Sequence, residues 1–249
     1  MTALVATPIA LYVFWQGGTV FAAGMLFLAL AAWFEYKQMM EQKSFHPATI
    51  LGGVCVAVMI VISWWHGLAQ LTPLSFAILF LILSLTVIQC KSFAMSDAAY
   101  NLLGICYIGI PFAHFIALRL FPDTIGMQFF ALAMLGTWAC DTVAYFGGTR
   151  WGRHKLCPSV SPAKSVEGAI FGFGGCLAVT LICGHYLQIP WQHGLASGVI
   201  IGVTCQLGDL VESAIKRHMG VKDSGRFFPG HGGVLDRVDS LLFSVPAVY

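Results

Sequence analysis

The chain has 249 residues, of which 58% are hydrophobic and only 10% are charged, and its formal net charge is +2. Soluble domains are about 45–50% apolar and about 25% charged, so this composition excludes a freely soluble globule. It also excludes a disordered chain, which needs low hydrophobicity and high charge. The small net charge comes with no basic stripe, so no nucleic acid is expected as a partner.

Long stretches of the chain contain no Asp, Glu, Lys or Arg, for example from Met1 to Phe34 and from Ser44 to Cys90. About 20 apolar helical residues are enough to cross the core of a bilayer. The sequence therefore predicts an all-α fold, a polytopic helical integral membrane protein with about nine transmembrane helices. In chain order, the predicted spans are 3–15, 18–34, 49–65, 74–90, 100–118, 126–147, 168–187, 194–211 and 232–249.

The basic residues are distributed unevenly over the predicted loops. All of the 13 Lys and Arg residues except Arg119 lie in four segments, 35–48, 91–99, 148–167 and 212–239. Segments rich in Lys and Arg face the cytoplasm in most membrane proteins. We therefore expect an integral protein of the bacterial inner (cell) membrane, with these loops on the cytoplasmic side.

The charged residues concentrate in the later part of the chain, from Asp141 onward. No internal repeat and no separate soluble domain is visible. We therefore predict one continuous membrane domain, in which residues 1–140 form transmembrane scaffold helices and residues 141–249 form the catalytic region with its cytoplasmic loops. The eight cysteines lie singly, mostly in apolar stretches, and are predicted to be packing residues.

Four acidic residues form two pairs, Asp209 with Glu212 and Asp236 with Asp239. Residues three apart share a face of a helix, and carboxylate oxygens are ligands that Mg²⁺ prefers. The sequence predicts a Mg²⁺ site formed by these four acids, with a second cation left open. The alternative is that each acid forms a structural ion pair with a neighbouring Lys or Arg.

Basic, hydroxyl and glycine residues surround these acids, and they are typical of phosphate binding. Together with metal-binding acids they favour phosphoryl or nucleotidyl transfer. The alternative is a set of loops that contacts only anionic lipid headgroups. The chain contains no GxxxxGK[ST], GxSxG or HExxH pattern, which disfavours a P-loop NTPase, a serine hydrolase and a zinc protease.

The segment from Ser213 to Asp239 resembles the signature of the phosphatidate cytidylyltransferase family, also called CDP-diacylglycerol synthases. The residues that fit the signature are Ser213, Lys216, Arg217, Lys222, Asp223, Gly225, Pro229, Gly230, His231, Gly232, Gly233, Asp236, Arg237 and Asp239. Upstream blocks also resemble the family, namely Asp141 with Ala144 and Tyr145, the run Ser161 to Gly168, and Gln206 to Ser213.

The resemblance implies that CTP and phosphatidate are converted to CDP-diacylglycerol and pyrophosphate. The expected catalytic residues are Asp209, Asp236, Lys222, Arg237 and His231. The expected substrate-binding residues are Asp141, Ser161, Lys164, Ser165, Glu167, Lys216, Arg217, Gly232 and Gly233. Asp209 and Asp236 are the principal expected metal ligands, assisted by Asp239 and Glu212. The expected partners are CTP, phosphatidate and the lipid bilayer, with a homodimer left open.

Three other functions stay open. Intramembrane acids are also found in secondary transporters, although no inverted repeat is visible. A CDP-alcohol phosphotransferase would carry DGxxAR, which this chain lacks. A lipid kinase of the polyisoprenol type would also use CTP. The family pattern normally continues with more apolar sequence, so we expect either a last helix that begins near Gly232 or a trimmed chain end.

Overall fold

The computed structural model describes residues 8, 11–122, 124–225, 227 and 232–249. Over this part of the chain the helices include α1 (Gly18–Gln42), α2 (Thr49–His66), α3 (Leu71–Ile88), α4 (Met95–Arg119), α5 (Ile125–Trp151), α6 (Val166–Tyr186), α7 (Trp191–His218), α8 (Leu235–Val238) and α9 (Leu241–Val248). A 3-10 turn, Gly67–Gln70, joins α2 to α3. Strands β1 (Lys155–Cys157) and β2 (Ser161–Ser165) pair antiparallel between α5 and α6. The predicted all-α fold class is confirmed.

Six helical stretches of the described chain are long and apolar enough to cross a membrane. They are Gly18–Gln42, Thr49–Ile88, Met95–Arg119, Ile125–Trp151, Val166–Tyr186 and Trp191–His218. This confirms a polytopic helical membrane protein. It does not confirm the predicted count of nine, because two predicted spans fall on α2 and α3 within one continuous stretch, and most of predicted span 3–15 lies outside the described residues.

The last predicted span, 232–249, is not one helix. It contains α8 and α9, separated by a turn at Asp239 and Ser240. The eight residues of α9 rise only about 12 Å, which is short of a bilayer core of about 30 Å. The side chain of Asp239 accepts the backbone N–H of Ser240 at 2.7 Å, and local bonds of this kind compete with a helical backbone.

The described chain forms two compact units. The first contains Met1–Leu120 and Met219–Arg237, and the second contains Phe121–His218 and Val238–Tyr249. Most of the signature segment therefore belongs to the first unit, together with the early helices. The sequence-based division after residue 140 stays a prediction about which part of the chain carries the chemistry.

In the first unit, aromatic side chains of α1 pack where neighbouring helices lack a side chain. The Trp33 ring occupies the space that a Cβ on Gly52 would need, and the Tyr36 ring does the same at Gly104. Trp33 Nε1 donates to the carbonyl of Thr49 at 3.0 Å, and the Tyr36 hydroxyl donates to the carbonyl of Tyr100 at 3.0 Å. These contacts hold α1 against α2 and α4.

In the second unit, small residues let helices α5, α6 and α7 approach closely, as is typical of membrane helices. A Cβ on Gly147 would meet the Phe171 ring, and one on Gly202 would meet the ring of Phe173. The short helix α9 is tied to α5 by a hydrogen bond of 3.0 Å between the hydroxyls of Thr137 and Ser244. All eight cysteines are free thiols, and four of them are buried.

Candidate active site

Two acids of α7 in the second unit form ion pairs with lysines. Lys164, on β2, lies with its Nζ atom 2.5 Å from Oδ2 of Asp209. Glu212 lies one helical turn after Asp209 and forms a salt bridge with Lys216. The Glu212 side chain is only 2% exposed. The predicted metal pair Asp209 and Glu212 is thus present on one helix, and each acid has a lysine partner in this structure.

Asp239 lies in the turn between α8 and α9. Burial raises the pKa of its carboxyl to about 7, and repulsion from Asp209 adds to that rise. Asp141, on α5, contributes further repulsion, while the hydrogen bond from Ser240 and the charge of Lys216 act in the opposite direction. The structure therefore brings Asp141, Asp209 and Asp239 into one electrostatic neighbourhood, which we call the carboxylate cluster.

The carboxylate cluster suits a hard divalent cation by the chemistry of its donors. Within the described residues, no three Asp, Glu, His or Cys side chains are close enough to form a complete metal site on their own. Mg²⁺, however, usually binds one or two carboxylates, keeps several waters and takes further oxygens from substrate phosphates. Acids that repel one another, one of them paired with Lys164, fit that mode of binding.

Asp236 lies in the first unit and organises the loop around it. Its Oδ2 atom accepts the N–H of Ser224 at 3.0 Å, the hydroxyl of Ser224 at 2.9 Å and the N–H of Gly233 at 2.8 Å. These bonds join the segment before the signature glycines to the segment after them. The metal role predicted for Asp236 stays a prediction.

The β-hairpin that carries Lys164 is attached to the start of α6 by two predicted substrate-binding residues. Ser165 caps the helix, since its hydroxyl accepts the N–H of Gly168 at 3.2 Å. Glu167 accepts the N–H of Arg153 at 3.0 Å and the N–H of His154 at 3.1 Å, and it contacts His154 Nδ1 at 2.6 Å. Both side chains thus hold the hairpin in place in this structure.

The other predicted site residues are distributed over both units. Lys222 and Arg237 are exposed and belong to the first unit, with Gly232 and Gly233. Gly232 has a φ of 81°, a conformation that favours glycine. In the second unit, Ser161 begins β2, and Nε of Arg217 donates to the carbonyl of Val160 at 3.4 Å. His231 lies outside the described residues.

Sequence reasoning missed Glu35, a buried acid on α1. Its carboxylate accepts hydrogen bonds from Val234 and Leu235, next to Asp236 in the signature segment. The signal that could have identified it is its position, because Glu35 is the first charged residue of the chain and lies within a span-length apolar helix. An ionisable residue in such a helix is a functional candidate by default.

The whole chain resembles proteins of known family. The family model described as the cytidylyltransferase family matches residues 1–249. A protein named phosphatidate cytidylyltransferase from Staphylococcus haemolyticus (strain JCSC1435) is 37% identical over 255 residues, covering 99% of this chain and 95% of the relative. Proteins of the same name from Staphylococcus aureus (strain COL) and Staphylococcus epidermidis (strain ATCC 12228 / FDA PCI 1200) are each 36% identical, with the same coverage. This chain belongs to the cytidylyltransferase family.

Proposed function

We propose that this chain is a phosphatidate cytidylyltransferase, a nucleotidyltransferase that condenses CTP with phosphatidate to CDP-diacylglycerol and pyrophosphate in phospholipid biosynthesis. Relatives of that name are 36–37% identical over 99% of the chain. In the structure, the observation that carries the proposal is the carboxylate cluster with Lys164 beside Asp209. It combines acids that suit a divalent cation with a cation that suits phosphate oxygens.

In this reaction a phosphate oxygen of phosphatidate forms a bond to the α-phosphorus of CTP. The bond from that phosphorus to the bridging oxygen breaks, and pyrophosphate leaves. The second pKa of a phosphate monoester is about 6, so the attacking oxygen is already anionic near neutral pH and needs no strong general base. The barrier is chiefly repulsion between anions, which preorganised positive groups reduce.

Lys164 and the other basic residues of the site supply that positive charge. We propose that Lys164 exchanges Asp209 for a phosphate oxygen when CTP binds, and that Ser161 on the same strand donates a hydrogen bond. Ser165 and Glu167 support these contacts by holding the hairpin. Asp141 contributes to the nucleotide site. The sequence also predicts phosphate contacts from Lys216, Arg217, Lys222, Arg237 and the backbone of Gly232 and Gly233.

The carboxylate cluster is the proposed site for Mg²⁺. Asp209 and Asp239 would hold the ion. The sequence predicts Asp209 and Asp236 as the principal ligands, assisted by Asp239 and Glu212, with a second cation left open. A bound Mg²⁺ neutralises phosphate charge and stabilises the departing pyrophosphate. His231 stays a predicted hydrogen-bond donor or general acid.

We propose that the site faces the cytoplasm. The positive-inside distribution supports that orientation, because the loops that carry the site hold most of the basic residues. CTP would then arrive from the cytoplasm, while the acyl chains of phosphatidate stay in the bilayer beside the apolar helices. A homodimer stays a prediction.

The deciding experiment uses CTP labelled with ³²P at either the α or the γ position. Purified full-length protein in detergent is incubated with phosphatidate and Mg²⁺, and the lipids are extracted. The proposal predicts that the α label enters the lipid as CDP-diacylglycerol and that the γ label leaves as pyrophosphate. Asp209→Asn should lower the transfer by on the order of 10²- to 10³-fold, while Lys43→Ala, at an exposed position, should leave it unchanged.

The same labelled CTP separates the rival functions when dolichol or phytol replaces phosphatidate, and when the protein is placed in sealed vesicles. A CTP-dependent lipid kinase would move the γ label to dolichol or phytol and release CDP. A transporter would consume no CTP and would move a solute across sealed vesicles. Either result, with no CDP-diacylglycerol formed from phosphatidate, would contradict the proposal.

A further inference from the structure

Glu35 on α1 is buried, with only 3% of its surface exposed. Its Oε1 atom accepts the N–H of Val234 at 2.8 Å. Its Oε2 atom accepts the N–H of Leu235 at 3.0 Å and the hydroxyl of Ser224 at 3.1 Å. One side chain of an early helix therefore holds two separate segments of the signature, the one at Ser224 and the one at Val234 and Leu235.

The donors around Glu35 require an acceptor at both of its oxygens. A carboxylate is acceptor-only, whereas a Gln amide has one oxygen and an NH₂ group that only donates. With Gln at this position, the NH₂ group would face either the N–H of Val234 or the N–H of Leu235. A buried donor left unpaired is costly, so the segment would shift to relieve the conflict.

Two signature glycines leave room for this carboxylate. A Cβ on Gly225 would lie 2.7 Å from Oε1 of Glu35, and its three nearest atoms all belong to the Glu35 side chain. A Cβ on Gly233 would overlap both Glu35 oxygens and the Ser224 hydroxyl. The sequence predicts that Gly233 binds substrate. Its Cβ side faces Glu35 instead, which leaves only its backbone for that role.

Ser224 connects Glu35 to Asp236. Its hydroxyl oxygen is 3.1 Å from Oε2 of Glu35 and 2.9 Å from Oδ2 of Asp236. A hydroxyl has one proton, so it donates to one carboxylate at a time. Through Ser224 the two acids act on the same stretch of backbone, in which Lys222 precedes Ser224 and Arg237 follows Asp236.

We propose that Glu35 is a positioning residue of the cytidylyl transfer. It orients the backbone of the signature segments, and thereby Lys222, Asp236 and Arg237, without touching the substrates itself. This inference rests on the proposed function. Replacing Glu35 leaves all the charges of the signature segment in place, so ground-state binding of CTP is preserved. The alignment of those charged groups in the transition state is impaired.

The test compares Glu35→Gln with Glu41→Gln, a carboxylate on the same helix that is exposed and pairs with Lys37. For purified folded protein, Glu35→Gln should lower kcat by roughly 10- to 100-fold, the size expected for a small misplacement. The KM for CTP should change by less than about threefold. Glu41→Gln should match the wild type. A merely structural role would lower the yield of folded enzyme and leave kcat per folded molecule unchanged, which would overturn the inference.

A second variant covers the case in which Glu35→Gln does not fold. Gly225→Ala should push on the Glu35 carboxylate and lower kcat. Gly174→Ala, where nothing lies within 4 Å of the added Cβ, should not. Wild-type kcat in folded Gly225→Ala or Glu35→Gln, with the wild type producing CDP-diacylglycerol, would overturn this inference alone. A wild type that makes no CDP-diacylglycerol would overturn the proposed function and this inference with it.

Discussion

The two units use their acids in different ways. In the first unit, Glu35 and Asp236 accept hydrogen bonds from backbone N–H groups and from Ser224, all of them neutral donors fixed by the fold. In the second unit, Asp209 and Glu212 face the flexible cations Lys164 and Lys216. Acids held by fixed donors tie the backbone together, whereas acids balanced by lysines can exchange those partners for a metal ion and its phosphates.

Removal of divalent cations should have the largest effect, because it tests whether the carboxylate cluster takes a metal at all. Excess EDTA should reduce turnover by roughly a thousandfold or more, since the repulsion between phosphate groups is then left to the lysines alone. The measurement is transfer of the α label of CTP to phosphatidate, before and after Mg²⁺ or Mn²⁺ is restored. Full activity in excess chelator would rule out the metal site.

Asp209→Asn and Asp236→Asn compare one acid from each unit. Both should reduce turnover on the order of 10²- to 10³-fold. Asp209→Asn removes a negative charge from the carboxylate cluster. Asp236→Asn removes a carboxylate oxygen that accepts the backbone N–H groups of its loop. The Mg²⁺ concentration for half-maximal residual activity is measured for each. Asp209→Asn should raise it, and an increase in Asp236→Asn would identify Asp236 as a ligand too. Wild-type activity in folded Asp209→Asn would contradict the role of the cluster.

The raised pKa of Asp239 predicts a smaller effect, on stability. Burial and repulsion raise this pKa from 3.8 to about 7. Between these values the folded protein holds a proton at Asp239 that the unfolded chain has lost, so the free energy of unfolding falls as the pH rises. In chelator, the melting temperature should drop from pH 5 to pH 8, with Asp239 contributing on the order of a few °C.

The Asp239→Asn variant isolates that contribution, because other groups also titrate over this range. The drop between pH 5 and pH 8 should be smaller in the variant than in the wild type. Equal drops in melting temperature for the two proteins would mean that the pKa of Asp239 is not raised in the folded protein.

The smallest effect is expected for Glu41→Gln. Its pair with Lys37 lies on the surface of α1, with the Glu41 side chain 48% exposed. Such pairs contribute about 0.3–0.5 kcal/mol. Turnover should equal that of the wild type, and the melting temperature should change by no more than about 1 °C. A large loss of turnover would mean that loss of any acid from α1 affects the site, and it would weaken the comparison with Glu35.

Much of the fold could be predicted because it follows from local composition. In lipid, a long charge-free stretch such as Ser44 to Cys90 must satisfy its backbone hydrogen bonds within the protein, and a helix does so within the segment itself. The helix count was harder to predict. Gly67–Gln70 continues the helical path from α2 into α3, and the turn at Asp239 and Ser240 divides the last apolar segment. Both features depend on local backbone hydrogen bonds, which cannot be predicted from hydropathy.

The chemistry of the site could be predicted from the sequence because it depends on which residue types are present. Carboxylates, lysines and glycines at the signature spacing indicate nucleotidyl transfer wherever the helices place them. The ion-pair or hydrogen-bond partner of each acid could not be predicted. Lys164 pairs with Asp209, and Glu35 bonds to Ser224 and Leu235, across long separations in the chain. Such pairs form only when the helices pack, and burial and neighbouring charge then determine how each acid behaves.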